Sequence, residues 1–231
     1  MKSIGLIGGI APESTVEYYR ALIAVHRERT NGAYPSILIN SIDLTKLLAH
    51  AGANEREELA AYVLAELERL ALAGATLGLL ASNTPHLVFD EVRARSPIPL
   101  VSIVEAAAAK ASELGLRRLA LFGTRFTMQS AFYADVFARR GLTIVLPAAD
   151  EMETIHSRYM SELIDARFLD STRAELLAIV ERMHRDDAID AVILGGTELP
   201  LLLRAPSHAG VPLLDTMRIH VEAVIDVFLS A

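Results

Sequence analysis

The sequence predicts an α/β chain of two pseudo-symmetric halves, each a mostly parallel sheet flanked by helices, with an active-site cleft between them. Three observations lead there. Short runs of Val, Ile and Leu alternate with longer segments of helical period. Those runs are continuously apolar, as strands covered by helices on both faces require. The second part of the chain also repeats the pattern of the first. Strand, helix and strand in alternation mean parallel pairing with right-handed crossovers.

The expected elements follow in order. A strand at Ile4–Ile7 leads to a helix at Ser14–Arg29, a strand at Ile37–Asn40 and a helix at Glu55–Ala73. In that helix Leu59, Tyr62, Val63, Leu67 and Leu70 recur at three- and four-residue spacing, which lines one face. Strands at Leu77–Ala81 and Leu100–Ser102 precede a helix at Ile103–Leu114. A strand at Leu119–Phe122, a helix at Gln129–Arg139 and a strand at Thr143–Leu146 come next. A helix at Ser171–Asp186, strands at Ala191–Leu194 and Pro212–Leu214, and a last helix at Arg218–Leu229 complete the chain.

The repeat sets the domain expectation. Gly74–Pro85 and Ala188–Leu199 share one character: a helix exit, a buried strand, then a small polar turn. Each is followed by an X-Pro strand, in Pro97–Val101 and in Gly210–Asp215. Ile4–Gly9 likewise echoes Leu119–Thr124. Residues 1–100 with 216–231 are expected to form the first half and residues 101–215 the second, the last helix returning to the first.

Composition narrows the function classes. Of 231 residues 52% are hydrophobic and 22% charged, too apolar for a disordered chain. No charge-free run approaches the ~20 residues of a membrane span. The apolar start of the chain breaks on Gly5, Gly8 and Gly9 and reads as a buried strand, not a leader. A net charge of −7 offers nucleic acid no electrostatic footprint. The absence of cysteine excludes disulfides, Cys-ligated zinc, iron–sulfur clusters and thiol nucleophiles. A cytoplasmic protein with neither a nucleic-acid nor a membrane partner is expected.

Ligands of open α/β sheets sit beyond the carboxyl ends of the strands. The residues there are Gly8–Thr15 with Ile10, Ser41–Asp43, Ser82–His86, Gly123–Thr127 and Gly196–Glu198. Small residues expose backbone N–H donors that hold a carboxylate or phosphate. Ser82, Asn83 and Thr84 serve equally as caps of the following helix, and Ser14 or Thr15 as caps of the first. Small polar turns at equivalent places in both halves favour a site. The first glycines lack G-x-G-x-x-G spacing, and only Asp43 stands near the second strand end, which argues against a dinucleotide. Among the seven histidines no pair has HExxH spacing. His86 fits either a packing or a catalytic role. Glu198 is a general acid or base if a closed cleft desolvates it, or a carboxylate that ties down its turn.

Taken together these turns resemble the aspartate/glutamate racemase family. Ile4–Ile10 with Glu13-Ser14-Thr15 and Tyr18-Tyr19 is similar to the family's start, and Asn83-Thr84-Pro85-His86 to its Cys-Asn-Thr-x-His turn. Gly123–Met128 with Phe132-Tyr133 is similar to its Gly-Thr-x-x-Thr-Met block, and Gly195–Leu202 to its Gly-Cys-Thr-Glu ending. The resemblance implies a cofactor-independent homodimer that inverts an amino acid through two thiols, one per half, while backbone donors hold the α-carboxylate. A thiol suits that work because its pKa of ~8.5 can be tuned towards the operating pH.

The chain departs from that pattern at both thiols. Ser82 stands at the first position and Gly196 at the second, so two-thiol racemisation is excluded by composition. Ser82, His86 and Glu198 remain as candidate proton carriers. Ile10, Asn83, Thr84, Thr124, Arg125, Thr127, Gly196 and Thr197 remain as candidate substrate contacts. Basic residues that the resemblance places in segments 45–55 and 150–160 are matched by His50, by Thr154, and by Arg158 one turn on. Arg125 is the best remaining cation, or else a surface arginine at a helix start. Gly196 is expected to tolerate a side chain poorly, through a positive φ. Two readings stand: an isomerase acting beside a carboxylate of a small amino acid or carboxylic acid, and a non-catalytic binder of a small carboxylate.

Overall fold

The computed structural model describes residues 2–10, 12–53 and 55–230; Ala11, in the first glycine turn, lies outside them. The chain forms two compact units, 1–103 with 217–231 and 104–216. The first contains β1 (Ile4–Gly8), α1 (Pro12–Arg29), β2 (Ile37–Ser41), α2 (Leu44–Gly52), α3 (Arg56–Leu72), β3 (Leu77–Leu80), a 3-10 turn (Thr84–Val88), α4 (Phe89–Arg95) and β4 (Leu100–Val101). Its sheet has the order β2-β1-β3-β4, parallel throughout.

Side-chain alternation gives this sheet two dry faces. Ile4, Leu6, Leu77 and Leu79 pack with Tyr18, Leu22 and Val25 of α1. Val221, Val224, Ile225 and Phe228 of the C-terminal helix join that same cluster, so the end of the chain covers a face built by its beginning. Ile7 and Leu80 turn the other way, onto Leu59, Val63, Leu67 and Leu70 of α3. The three- and four-residue spacing legible in α3 is therefore the stripe that meets the sheet.

The second unit contains α5 (Ile103–Glu113), β5 (Arg118–Phe122), α6 (Arg125–Gln129), α7 (Phe132–Ala138), β6 (Thr143–Val145), α8 (Ala149–Ser161), α9 (Asp170–Asp187), β7 (Ala191–Leu194), α10 (Leu199–Leu202), β8 (Ser207–His208) and β9 (Val211–Asp215). The C-terminal helix is α11 (Thr216–Ser230). The order β6-β5-β7-β9 is again parallel, with β8 added antiparallel at the edge of β9. First, second, third and fourth parallel strands thus take the same places in both sheets, the structural form of the sequence repeat.

Two expectations need correction. The helix expected at Gln129–Arg139 is two, α6 and α7, because Ser130 adopts an extended backbone (φ −84°, ψ 149°) that ends α6. Helices α2 and α8 were not anticipated, their segments being short of long apolar stripes. Asp43 caps α2: its side chain accepts from the Thr45 N–H at 2.9 Å.

Candidate functional site

The carboxyl ends of β1 and β3, in the first unit, carry two of the expected turns. After β1 the Gly9 N–H donates to the Thr15 hydroxyl at 2.7 Å, so Thr15 ties the turn to the first coil of α1. Gly9 has φ +87°, and a Cβ there would come within 2.5 Å of the Ile42 carbonyl oxygen. Only glycine lets the turn lie this close to the end of β2. Ile10 is buried beside it.

Ser82, Asn83 and Thr84 follow β3 and are all buried. Asn83 precedes the 3-10 turn, yet its side chain makes no capping hydrogen bond, so the simple capping role expected of this residue is not the one it plays. His86 holds the turn instead. Its Nδ1–H donates to the Ser82 carbonyl at 3.0 Å, while Nε2 accepts from the Ile103 N–H at 3.2 Å. These partners set the tautomer. The ring stacks on Phe89, with centroids 4.8 Å apart and planes 6° apart. Burial, and next the neighbouring His220, push its pKa down to about 3. The expectation of His86 as a proton carrier is corrected accordingly: both ring nitrogens are spent on backbone, and the ring stays neutral.

In the second unit the turn after β5 is held by Thr124. Its side-chain oxygen accepts from the Thr127 N–H at 3.3 Å, and the two hydroxyls stand 3.2 Å apart. Arg125 opens α6. Its guanidinium is about half exposed and pairs with Glu153 at 2.6 Å, while its backbone N–H donates to Nδ1 of His156. Burial, then the Arg125 charge, lowers the His156 pKa. The surface reading of Arg125 is the one its geometry favours. The other basic candidates are equally occupied: His50 pairs with Glu55 at 2.8 Å, and Arg158 pairs with Glu162 and Glu175. Thr154 donates to the Asp150 carbonyl within α8.

The turn after β7 is the most chemically loaded. Glu198 is 2% exposed, and its Oε2 accepts from the Tyr159 hydroxyl and, at 3.2 Å, from the Thr197 hydroxyl. Tyr159 reaches this turn from α8 and is itself 6% exposed. Burial first, and the Glu198 charge second, raise its phenol well above the usual range, so it remains protonated. The Tyr159 ring covers Gly196: a Cβ on that glycine would come 2.3 Å from Cε2 and 2.7 Å from the hydroxyl oxygen. Gly196 is not among the glycines of positive φ, so the expected backbone reason is replaced by a steric one. No motif flagged Tyr159; nothing local in a helix marks a residue that fills space beside a distant glycine.

The first unit carries Ser82, Asn83 and Thr84 in one turn; the second carries Thr124 and Thr127 in one turn and Gly196, Thr197 and Glu198, with Tyr159, in another. Among the described residues no helix is long and apolar enough to cross a membrane.

The Asp/Glu/hydantoin racemase profile matches residues 7–224. A glutamate racemase from Sphingopyxis alaskensis is 32% identical over 174 residues, 71% of this chain but only 63% of that protein. The broad specificity amino-acid racemase RacX of Bacillus subtilis is 21% identical over 98% of both chains. The solved structure of an aspartate racemase homologue from Pyrococcus horikoshii OT3 is 33% identical, with a TM-score of 0.84 over 99% of this chain and 100% of that one. The aspartate racemase of Picrophilus torridus shares the fold, with a TM-score of 0.77 at 19% identity, over 99% and 94%. The chain is a member of the Asp/Glu/hydantoin racemase family.

Proposed function

We propose that the protein is a cofactor-independent isomerase acting at the α-carbon of a small amino acid or carboxylic acid, with oxygen groups in place of thiols. The observation that carries this reading is the buried Glu198 carboxylate, supported by two hydroxyl donors at the carboxyl end of a central strand. A carboxylate held in place by oriented donors is a group that can accept or return a proton within hydrogen-bond reach. Ser82 is the corresponding polar group of the first unit. Backbone N–H groups around Asn83-Thr84 and Thr197-Glu198, with Thr124 and Thr127, supply the donors for the substrate carboxylate. The pairing of Arg125 and the other cations with surface acids favours a substrate whose distal group is not acidic.

The test is α-proton exchange. The protein is incubated in deuterium oxide with D- and L-forms of alanine, aspartate, glutamate and other amino acids, and α-deuteration is followed by proton NMR. Thermal stabilisation by the same compounds reports binding. Exchange on a compound that also stabilises the protein supports the isomerase. Stabilisation without exchange on any compound refutes it in favour of a carboxylate-binding protein.

A further inference from the structure

Ser82 and Gly196 occupy matching places in the two units. Ser82 lies two residues beyond the end of β3 and Gly196 two beyond the end of β7, and β3 and β7 are the third strands of sheets with the same order. One place carries a hydroxyl on its own Cβ; the other has no side chain. The room that a side chain at 196 would take is nonetheless filled. Cε2 of Tyr159 lies 2.3 Å and its hydroxyl oxygen 2.7 Å from the position of that Cβ, so the phenol occupies the space beside residue 196. This hydroxyl donates to Oε2 of Glu198, which Thr197 also holds. A tyrosine from α8 therefore delivers a polar group to the turn of β7 that the turn itself lacks.

We propose that the Tyr159 hydroxyl is the proton-transferring group of the second unit and that Glu198 behind it is its proton store. This rests on the isomerase reading above. In the forward step the phenol oxygen takes the α-proton as its own proton passes to Glu198. The C–H bond breaks, its electron pair stays on the α-carbon beside the carboxylate, and an O–H bond forms on Tyr159. The Tyr159–H bond it replaces becomes a bond to Glu198 Oε2. The products are a neutral tyrosine, a carboxylic acid and the substrate carbanion. In the reverse step Glu198 returns its proton to the phenol oxygen as the phenol protonates carbon. No phenolate accumulates beside the carboxylate, which matters because burial and the Glu198 charge both oppose one.

Two variants test the relay in the full chain. Tyr159→Phe keeps the ring over Gly196 and removes only the hydroxyl. Glu198→Gln keeps an oxygen to accept from Tyr159 but does not store a proton at neutral pH. Each is expected to lower α-deuteration of the best wild-type substrate by ~100-fold or more, while the ligand-induced shift in melting temperature changes little. Wild-type rates in a folded Tyr159→Phe would overturn the relay and leave the isomerase reading standing. If Tyr159→Phe does not fold, undiminished exchange by Glu198→Gln overturns it instead. No exchange by the wild type on any amino acid that stabilises it overturns both.

Discussion

The imidazole of His86 meets that of His220 edge to face, with centroids 6.4 Å apart and planes 80° apart, and every nitrogen of the two rings is committed. His86 bridges the Ser82 carbonyl and the Ile103 N–H. His220 accepts from the Tyr18 hydroxyl on Nδ1 and donates from Nε2 to the Val101 carbonyl, both at 2.9 Å. The pair therefore ties the Ser82 turn, the end of β4, α1 and α11 into one buried polar unit, satisfied within an apolar surround.

This network makes the fold acid-sensitive. Burial, the leading cause in both, holds His86 at about 3 and His220 at about 4. Folded-state values below the unfolded ~6.5 mean that the unfolded chain binds more protons as pH falls. Stability is thus fully present above pH ~6.5 and is lost on acidification through the histidine range, by about 1.4 kcal/mol per pH unit for each ring. Urea midpoints at pH 7.5, 6 and 5 should fall in that order, and His156, shifted the same way, adds to the slope. A midpoint constant across that range would show that the rings titrate normally.

Gly196 and Tyr159 compete for one volume. Gly196→Ala should destabilise the protein by about 1–3 kcal/mol, because the new methyl overlaps a buried ring. In a Tyr159→Leu background the same substitution should cost clearly less, a coupling that a double-mutant cycle in urea measures directly. A cysteine at 196 meets the same obstacle and should fold well only when residue 159 is small. Equal costs in the two backgrounds would mean that the ring moves aside freely.

Thr124 should reveal itself as a cap. Thr124→Val keeps the shape and removes the oxygen that accepts from the Thr127 N–H, at a cost of about 1 kcal/mol; Thr124→Ser should recover most of it. If Thr124 also contacts the substrate carboxylate, ligand affinity should fall tenfold or more in Thr124→Val, the worth of one hydrogen bond to a charged group.

Arg125 should matter little. Its partner Glu153 is exposed, and exposed ion pairs contribute about 0–1 kcal/mol. Arg125→Gln is expected to leave both the urea midpoint and the ligand-induced melting shift nearly unchanged. A tenfold loss of ligand affinity would return Arg125 to the substrate contacts.

Much of this was legible in residue order because it depends on local pattern. Continuous apolar runs mark strands that will be covered on both faces, and Ile4, Leu79, Ala191 and Ile193 are buried as such runs require. The polar turns at Ser82–Thr84 and Gly196–Glu198 follow the central strands as the repeat indicates, and the missing thiols are a matter of counting. What the turns do depends on partners remote in sequence. His86 is a motif residue by position, but the Ile103 N–H and Phe89 turn it into a neutral strut. Arg125 stands beside the right turn and is drawn to Glu153 on the surface. Tyr159 and Glu198 lie 39 residues apart and meet only because α8 packs against the end of β7. Periodicity reports which face of an element is apolar. It carries no information about which distant side chain fills the space above a glycine, and only the folded chain decides that.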